Sequence, residues 1–247
     1  MSTATTNVDH RTRVAAERRQ RTRDKLVEHA LLVYAEHGAG SSMIQEVIAS
    51  ASVAQGTFYN YFRTHHELLV AVSEQLSNDL LRVIEREVAS CKLVDKRLAK
   101  GLLLFLRTAR DHPVLAHFAS HGGLHAAGPD SLYFAYIPRH LQEGLAQGVF
   151  TERSMLVSLD MIAGAVFACL SRMAWLDSPL PDEHIKEVVV AILRSLGLTK
   201  SRADKLAQDM PAPLAFDPTS LVARASAQHE LARAARKSKK KPVNLKG

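Results

Sequence analysis

Cysteine is scarce in this chain of 247 residues: Cys91 and Cys169 are the only two, far apart and outside any CxxC spacing. That excludes a disulfide-stapled secreted scaffold and a zinc ribbon, and a reducing cytoplasm is the expected compartment. Alternation of β-branched and polar residues over four to eight positions is missing, which argues against strands. A Gly-rich phosphate loop, a GxSxG elbow, an HExxH pair and an EF-hand loop are missing too, so the chain is read as a non-enzyme with no cofactor and no bound metal. The first twenty residues are polar and basic and lack the apolar core of a signal peptide, so no export is expected. The most apolar stretch, 156–176, is interrupted by Ser158, Asp160, Ser171 and Arg172. It is expected to be a buried helix rather than a membrane span.

What is present is positive charge at the two ends. The net charge is +7, and residues 198–247 carry 11 basic against 4 acidic side chains. Residues 1–69 carry 8 against 7, but Arg11, Arg13, Arg18, Arg19, Arg21, Arg23 and Lys25 crowd the first turns. Two basic ends flanking a neutral body suit a polyanionic partner.

Apolar spacing is helical almost throughout, so the expected fold class is all-α. Leu26, Ala30, Leu31, Val33 and Tyr34 form one face of a helix over 18–37, ended by Gly38. Ser42 and Gln45 read as a capping box opening a second short helix with Met43, Ile44, Val47 and Ile48 on its apolar side. After the turn at Ser52 and Val53, residues 54–61 form a third, with Phe58 and Phe62 inward. Longer helices are expected over 66–91, 95–111, 113 to the Gly122-Gly123 break, 130–147 around Pro138, 154–176 and 181–196. Beyond 200, prolines and the run 236–241, RKSKKK, indicate a mobile basic extension with at most one helix, over 219–235. The expected organisation is a flexible basic arm (1–17), a three-helix DNA-binding domain (18–65), an effector-binding and dimerisation domain (66–200) and the basic extension (201–247).

Three short helices with a tight turn between the second and third have the layout of a helix-turn-helix reader of the major groove. The wording of 41–69, SSMIQEVIASASVAQGTFYNYFRTHHELL, closely resembles the DNA-binding signature of the TetR/AcrR family of bacterial transcriptional regulators, above all at Gly56 to Phe62. The resemblance implies an N-terminal helix-turn-helix domain, a C-terminal helical ligand-binding and dimerisation domain, a homodimer, and a double-stranded, roughly palindromic operator. By the same resemblance Gln55, Gly56, Thr57 and Asn60 contact bases, the amide forks of Gln55 and Asn60 each matching an adenine edge. Arg18, Arg19, Arg21, Arg23, Ser42, Tyr59, Tyr61 and His65 contact phosphates. Two positions depart from the family pattern: Ser52 stands where the turn has glycine, and His65 where a lysine is usual.

The middle helices offer an apolar wall with few polar groups: Leu102, Phe105, His117, Phe118, His121, Tyr133, Tyr136, Ile137, Ile162, Val166 and Met173. Such a lining suits a small hydrophobic or aromatic effector, whose binding would release a repressor from DNA. Two alternatives stay open at this point, a metal-responsive regulator using His117 and His121 and a dimeric helical adaptor without DNA activity.

Overall fold

The computed structural model describes residues 4–38, 40, 43–121, 133–151, 154–176 and 178–239, without the side chains of 4–11, 133–135 and 236–239. Among these there are eleven helices and no strand. They are α1 (Ala4–His37), α2 (Ile44–Ser50), α3 (Gln55–Tyr59), α4 (His65–Val88), α5 (Val94–Asp111) and α6 (Pro113–Ser120). After these come α7 (Tyr133–Ala146), α8 (Met155–Trp175), α9 (Asp182–Ser195), α10 (Lys200–Leu206) and α11 (Leu221–Lys239).

The N-terminal unit is built on one apolar seam. Leu26, Val27, Ala30, Leu31 and Tyr34 of α1 close over Val47 and Ile48 of α2 and Ala51 just past its end, Phe58 and Phe62 around the third helix, and Leu68 of α4. Phe58 meets Phe62 at 6.2 Å and Tyr59 at 5.3 Å, edge-on to the latter. Gly38 stops α1 at φ +86°, in the left-handed region that glycine enters without strain. A hydrogen bond of 2.8 Å between His29 Nδ1 and Ser50 Oγ ties α1 to α2.

Ser52 takes the left-handed conformation that the missing turn glycine would have carried, with φ +50°. An exposed, non-glycine residue there is strained by crowding of its Cβ. Ser52→Gly is therefore expected to raise the unfolding free energy by about 0.5–1 kcal/mol. Denaturant titration checks this, and an unchanged or lowered midpoint would show that Ser52 bears no strain.

The body packs α5 against α4, α6, α7, α8 and α9, with α8 lying across α6 and α9. Its core of Leu98, Leu102, Leu103, Leu106, Ile162, Leu170, Ile185, Val189 and Leu193 is continuous with that of the N-terminal unit. The two ends differ from the sequence reading. The arm expected to be flexible over 1–17 is, from Ala4 onward, a continuation of α1. The segment expected to be a mobile extension contains two helices, and both dock. Arg202 pairs with the buried Asp95 at 2.7 Å to hold α10 on α5, and Leu221, Val222 and Ala225 of α11 are buried. Residues 240–247 lie outside the described residues.

The apolar stretch read as a buried helix is α8, and it is only partly buried. Ser158, Ile162, Val166, Cys169 and Leu170 face the core, whereas Leu156, Val157, Met161 and Trp175 stand exposed. By length and composition alone it is long and apolar enough to cross a membrane.

Candidate nucleic-acid interface

The third helix presents its surface because Phe58 anchors it from below. Around that buried ring, Gln55, Gly56, Tyr59 and Asn60 are exposed, and Thr57 and Tyr61 are half-buried. The helix opens on Ala54, extended at φ −70° and ψ 147°, and no side chain caps it. A Cβ built on Gly56 meets no atom within 4 Å. Nothing inside the protein requires glycine there, so any requirement for it comes from outside.

Beside this face runs a groove of about 580 Å³ between α1 and α3, lined by Ala15, Arg18, Arg19, Thr22, Thr57, Asn60 and Tyr61. Positions 15, 18, 19 and 22 share one side of α1, so the helical form of the arm, not a loose coil, sets these arginines against the third helix. Arg19 stacks its guanidinium over Tyr61 at 5.9 Å and Arg23 over Phe62 at 5.6 Å. Such stacking holds a long side chain in place while its donors stay outward. Arg21 lies round the helix and turns to Glu17 at 3.9 Å, away from the groove.

One expected contact is placed otherwise, and one lies outside the described residues. The second helix starts at Ile44 with Met43 as its N-cap, and Ser42, expected to open it and to reach phosphate, is among the residues not described. His65, expected to reach phosphate, turns inward. Its ring meets Tyr34 edge-on at 5.4 Å, and its Nε2 is buried without a hydrogen-bond partner. The reason is local: Thr64 caps α4 by accepting from the Glu67 N–H at 3.1 Å, while Glu67 accepts from the Arg63 N–H at 2.8 Å. This pair of bonds, missed in the sequence, fixes the first turn of α4 with His65 against α1. Burial, and then the neighbouring His66, lower the pKa of His65, so the ring brings no charge near neutral pH.

Burial likewise lowers the pKa of His29, His112 and His117. Each is held neutral in the fold, so as pH falls below the ordinary value of 6.5 the unfolded chain takes up protons first and stability declines. Denaturant midpoints are thus expected to fall from pH 7.5 to 5.5, with a shallower slope in His117→Gln; a flat profile would contradict this.

Of the residues expected to line an effector pocket, the structure brings Phe105 and Phe118 together. They bound a cavity of about 50 Å³ with Ser73, Leu76, Ser77, Leu80, Ala109, Leu115, Ala119 and Leu170. The α4 residues were missed because their spacing reads as ordinary core. Leu102, Ile162 and Val166 are buried in the core instead, and Ile137 and Met173 pack against it. Tyr136 lies under Arg139 at 5.1 Å, and the Tyr133 side chain lies outside the described residues. The two histidines turn elsewhere. His117 faces His229 of α11 with ring centroids 5.7 Å apart, and His121 Nδ1 lies 3.2 Å from the Ala35 carbonyl. Among the described residues no group of three or more His, Cys, Asp or Glu is placed to hold a metal.

A short helix held outward on a buried phenylalanine, preceded by a tight turn and flanked by an arginine-lined groove, defines a helix-turn-helix protein with a helical second domain. Residues 26–72 match the sequence profile of the bacterial regulatory proteins, tetR family. That match spans the N-terminal helix-turn-helix unit. Over 62 residues the chain is 34% identical to the HTH-type transcriptional regulator YvdT of Bacillus subtilis, and 36% identical to the HTH-type transcriptional repressor DhaR of a Mycobacterium species. These matches cover 25% of this chain and span 32% and 31% of those relatives. The fold is shared more widely. RolR bound to resorcinol superposes with a TM-score of 0.63 at 23% identity, over 80% of this chain and 98% of that one. The fatty acid degradation regulator FadR of Bacillus halodurans gives 0.59 at 20% identity, over 72% and 97%.

Proposed function

We propose that the protein is a sequence-specific DNA-binding transcriptional regulator, a homodimeric repressor that leaves a palindromic operator when a small apolar effector binds. Residues 18–65 are its DNA-binding unit, and 66–200 carry the dimer face and the effector cavity. The observation that carries this reading is the exposed set Gln55, Gly56 and Asn60 held beside the Arg18 and Arg19 groove. Amide forks read base edges, arginines and the Tyr59 and Tyr61 phenols grip phosphates, and Gly56 admits the DNA closely.

The effector reading rests on the cavity under α6. Its walls are aliphatic and aromatic, with the Ser73 and Ser77 hydroxyls as the polar groups. That chemistry suits a single-ring or short apolar molecule carrying one polar handle, which enters by spreading Phe105 and Phe118. The binding of resorcinol by RolR is consistent with this class.

Two substitutions test the DNA reading. Gln55→Ala is expected to cost about 1–3 kcal/mol at one operator position and so to reorder the affinities of single-base operator variants. Gly56→Ala is expected to weaken DNA binding while raising helix stability by about 0.5–1 kcal/mol, since the protein interior leaves its methyl unopposed. Fluorescence anisotropy with operator variants, alongside thermal melts, measures both. An unchanged ranking for Gln55→Ala would remove its role as a reader.

A further inference from the structure

The C-terminal helix fastens the DNA-binding unit to the body. Its first residues bury a helical stripe, Leu221, Val222, Ala225 and Ser226, against α1, α4 and α6. The polar contacts divide between the two domains. On the DNA-binding side Glu28 of α1, only 7% exposed, accepts from Arg224 Nε at 2.6 Å and from the Gln228 amide, one turn apart on α11. On the body side Asp79 of α4 accepts from the Leu221 N–H at 3.1 Å, placing a carboxylate at the positive end of α11. His112, which caps both α5 and α6, shares a hydrogen bond of 2.9 Å with Ser226. The segment leading into the helix is pinned as well, by Phe216 edge-on to His112 at 5.6 Å and by Arg107 on the Pro211 carbonyl.

The docking is confined. Apart from His229, beyond Ser226 the described side chains of α11 are exposed, Leu231 to 72%. A short stripe and one buried carboxylate can part and re-form where a full core helix could not. We propose that α11 is an intramolecular clasp: it holds α1 to the body through Glu28 with Arg224 and Gln228, and its release frees the DNA-binding unit to change orientation. The clasp rests on the preceding reading only in what the motion would serve.

The experiment compares full-length wild type, an Arg224→Ala/Gln228→Ala double variant and a Glu28→Arg/Arg224→Glu charge swap by hydrogen exchange and by anisotropy titration on one operator duplex. The clasp predicts that backbone amides over residues 26–62 of the double variant exchange about tenfold faster, while α5, α8 and α9 keep their protection. The charge swap restores at least part of the slow exchange. Operator affinity of the double variant falls with the loss of a fixed orientation. Faster exchange in α11 with residues 26–62 unchanged would overturn the proposal, because the helix would then be a passive appendage. Faster exchange in residues 26–62 together with a wild type that binds no duplex would sustain the clasp and defeat the DNA reading instead.

Discussion

Phe58→Ala is expected to lower stability by about 3–5 kcal/mol, the cost of removing a fully buried phenylalanine from a packed site. The ring has little around it that can collapse. It is enclosed by Phe62, the Tyr59 edge and the α1 seam, and the third helix has only five residues to bury. With no side-chain cap and so short a length, that helix holds its shape through this one anchor rather than through its own hydrogen bonds. In a chain of this length the loss corresponds to a melting temperature lower by about 6–20 °C. It should be felt first in residues 44–62. A thermal melt read by circular dichroism, with hydrogen exchange to locate the change, checks it. A shift of a degree or two would mean that the third helix is held by something other than its aromatic core.

The second large effect concerns the exposed side of α8. Val157, Met161, Gly164, Ala168 and Trp175 follow one another at spacings of three, four and seven along that helix, and all are exposed. A contiguous apolar stripe of this kind is what an isologous partner helix covers, and Gly164 and Ala168 let two backbones approach. A second copy of the chain is the occupant that the proposed operator symmetry calls for. Gly164→Arg is the sharpest probe. A Cβ there meets nothing within 4 Å inside the chain, so the monomer tolerates the side chain while the two-fold contact does not. The variant is expected to be a folded monomer by sedimentation, with operator affinity reduced about 10²–10⁴-fold because the two half-sites are no longer engaged together. Trp175, the sole tryptophan and 79% exposed in the single chain, supplies a second readout. Its emission should shift to the blue as wild-type concentration rises and stay red in the variant. A Gly164→Arg protein that remains dimeric would place the interface elsewhere.

Most of the helical architecture is legible in the sequence because it depends on local rules. Apolar spacing near 3.6 fixes the helices from α4 to α9, Gly38 marks the end of α1, and the aromatic pair Phe58 and Phe62 marks the core of the N-terminal unit. What escapes depends on packing between elements. The first turns of α1 have no apolar stripe to reveal them, since residues 4–17 mix Ala, Thr and Arg with Asn7, Asp9, His10 and Glu17 and leave Val8 and Val14 as the only larger apolar groups. The docking stripe of α11 is only Leu221, Val222, Ala225 and Ser226, too short to stand out as a periodic face, and only the position of Glu28 across the fold shows why Arg224 and Gln228 stand one turn apart. His65 illustrates the same limit. The family resemblance implies a phosphate contact there, but the Thr64 cap and the Tyr34 ring decide where the side chain points. For the cavity, the sequence supplies Phe105 and Phe118 from α5 and α6, while the α4 contribution of Ser73, Leu76, Ser77 and Leu80 is set by which face of a long helix meets them.

Selection of a random double-stranded DNA library by the full-length protein, carried through several rounds at near-physiological salt, tests the central claim most directly. The account predicts enrichment of one motif with two-fold symmetry, its half-sites spaced for two copies of the third helix, and loss of that enrichment in Gln55→Ala/Asn60→Ala. Recovery of DNA without sequence preference, or of no DNA at all, would contradict it.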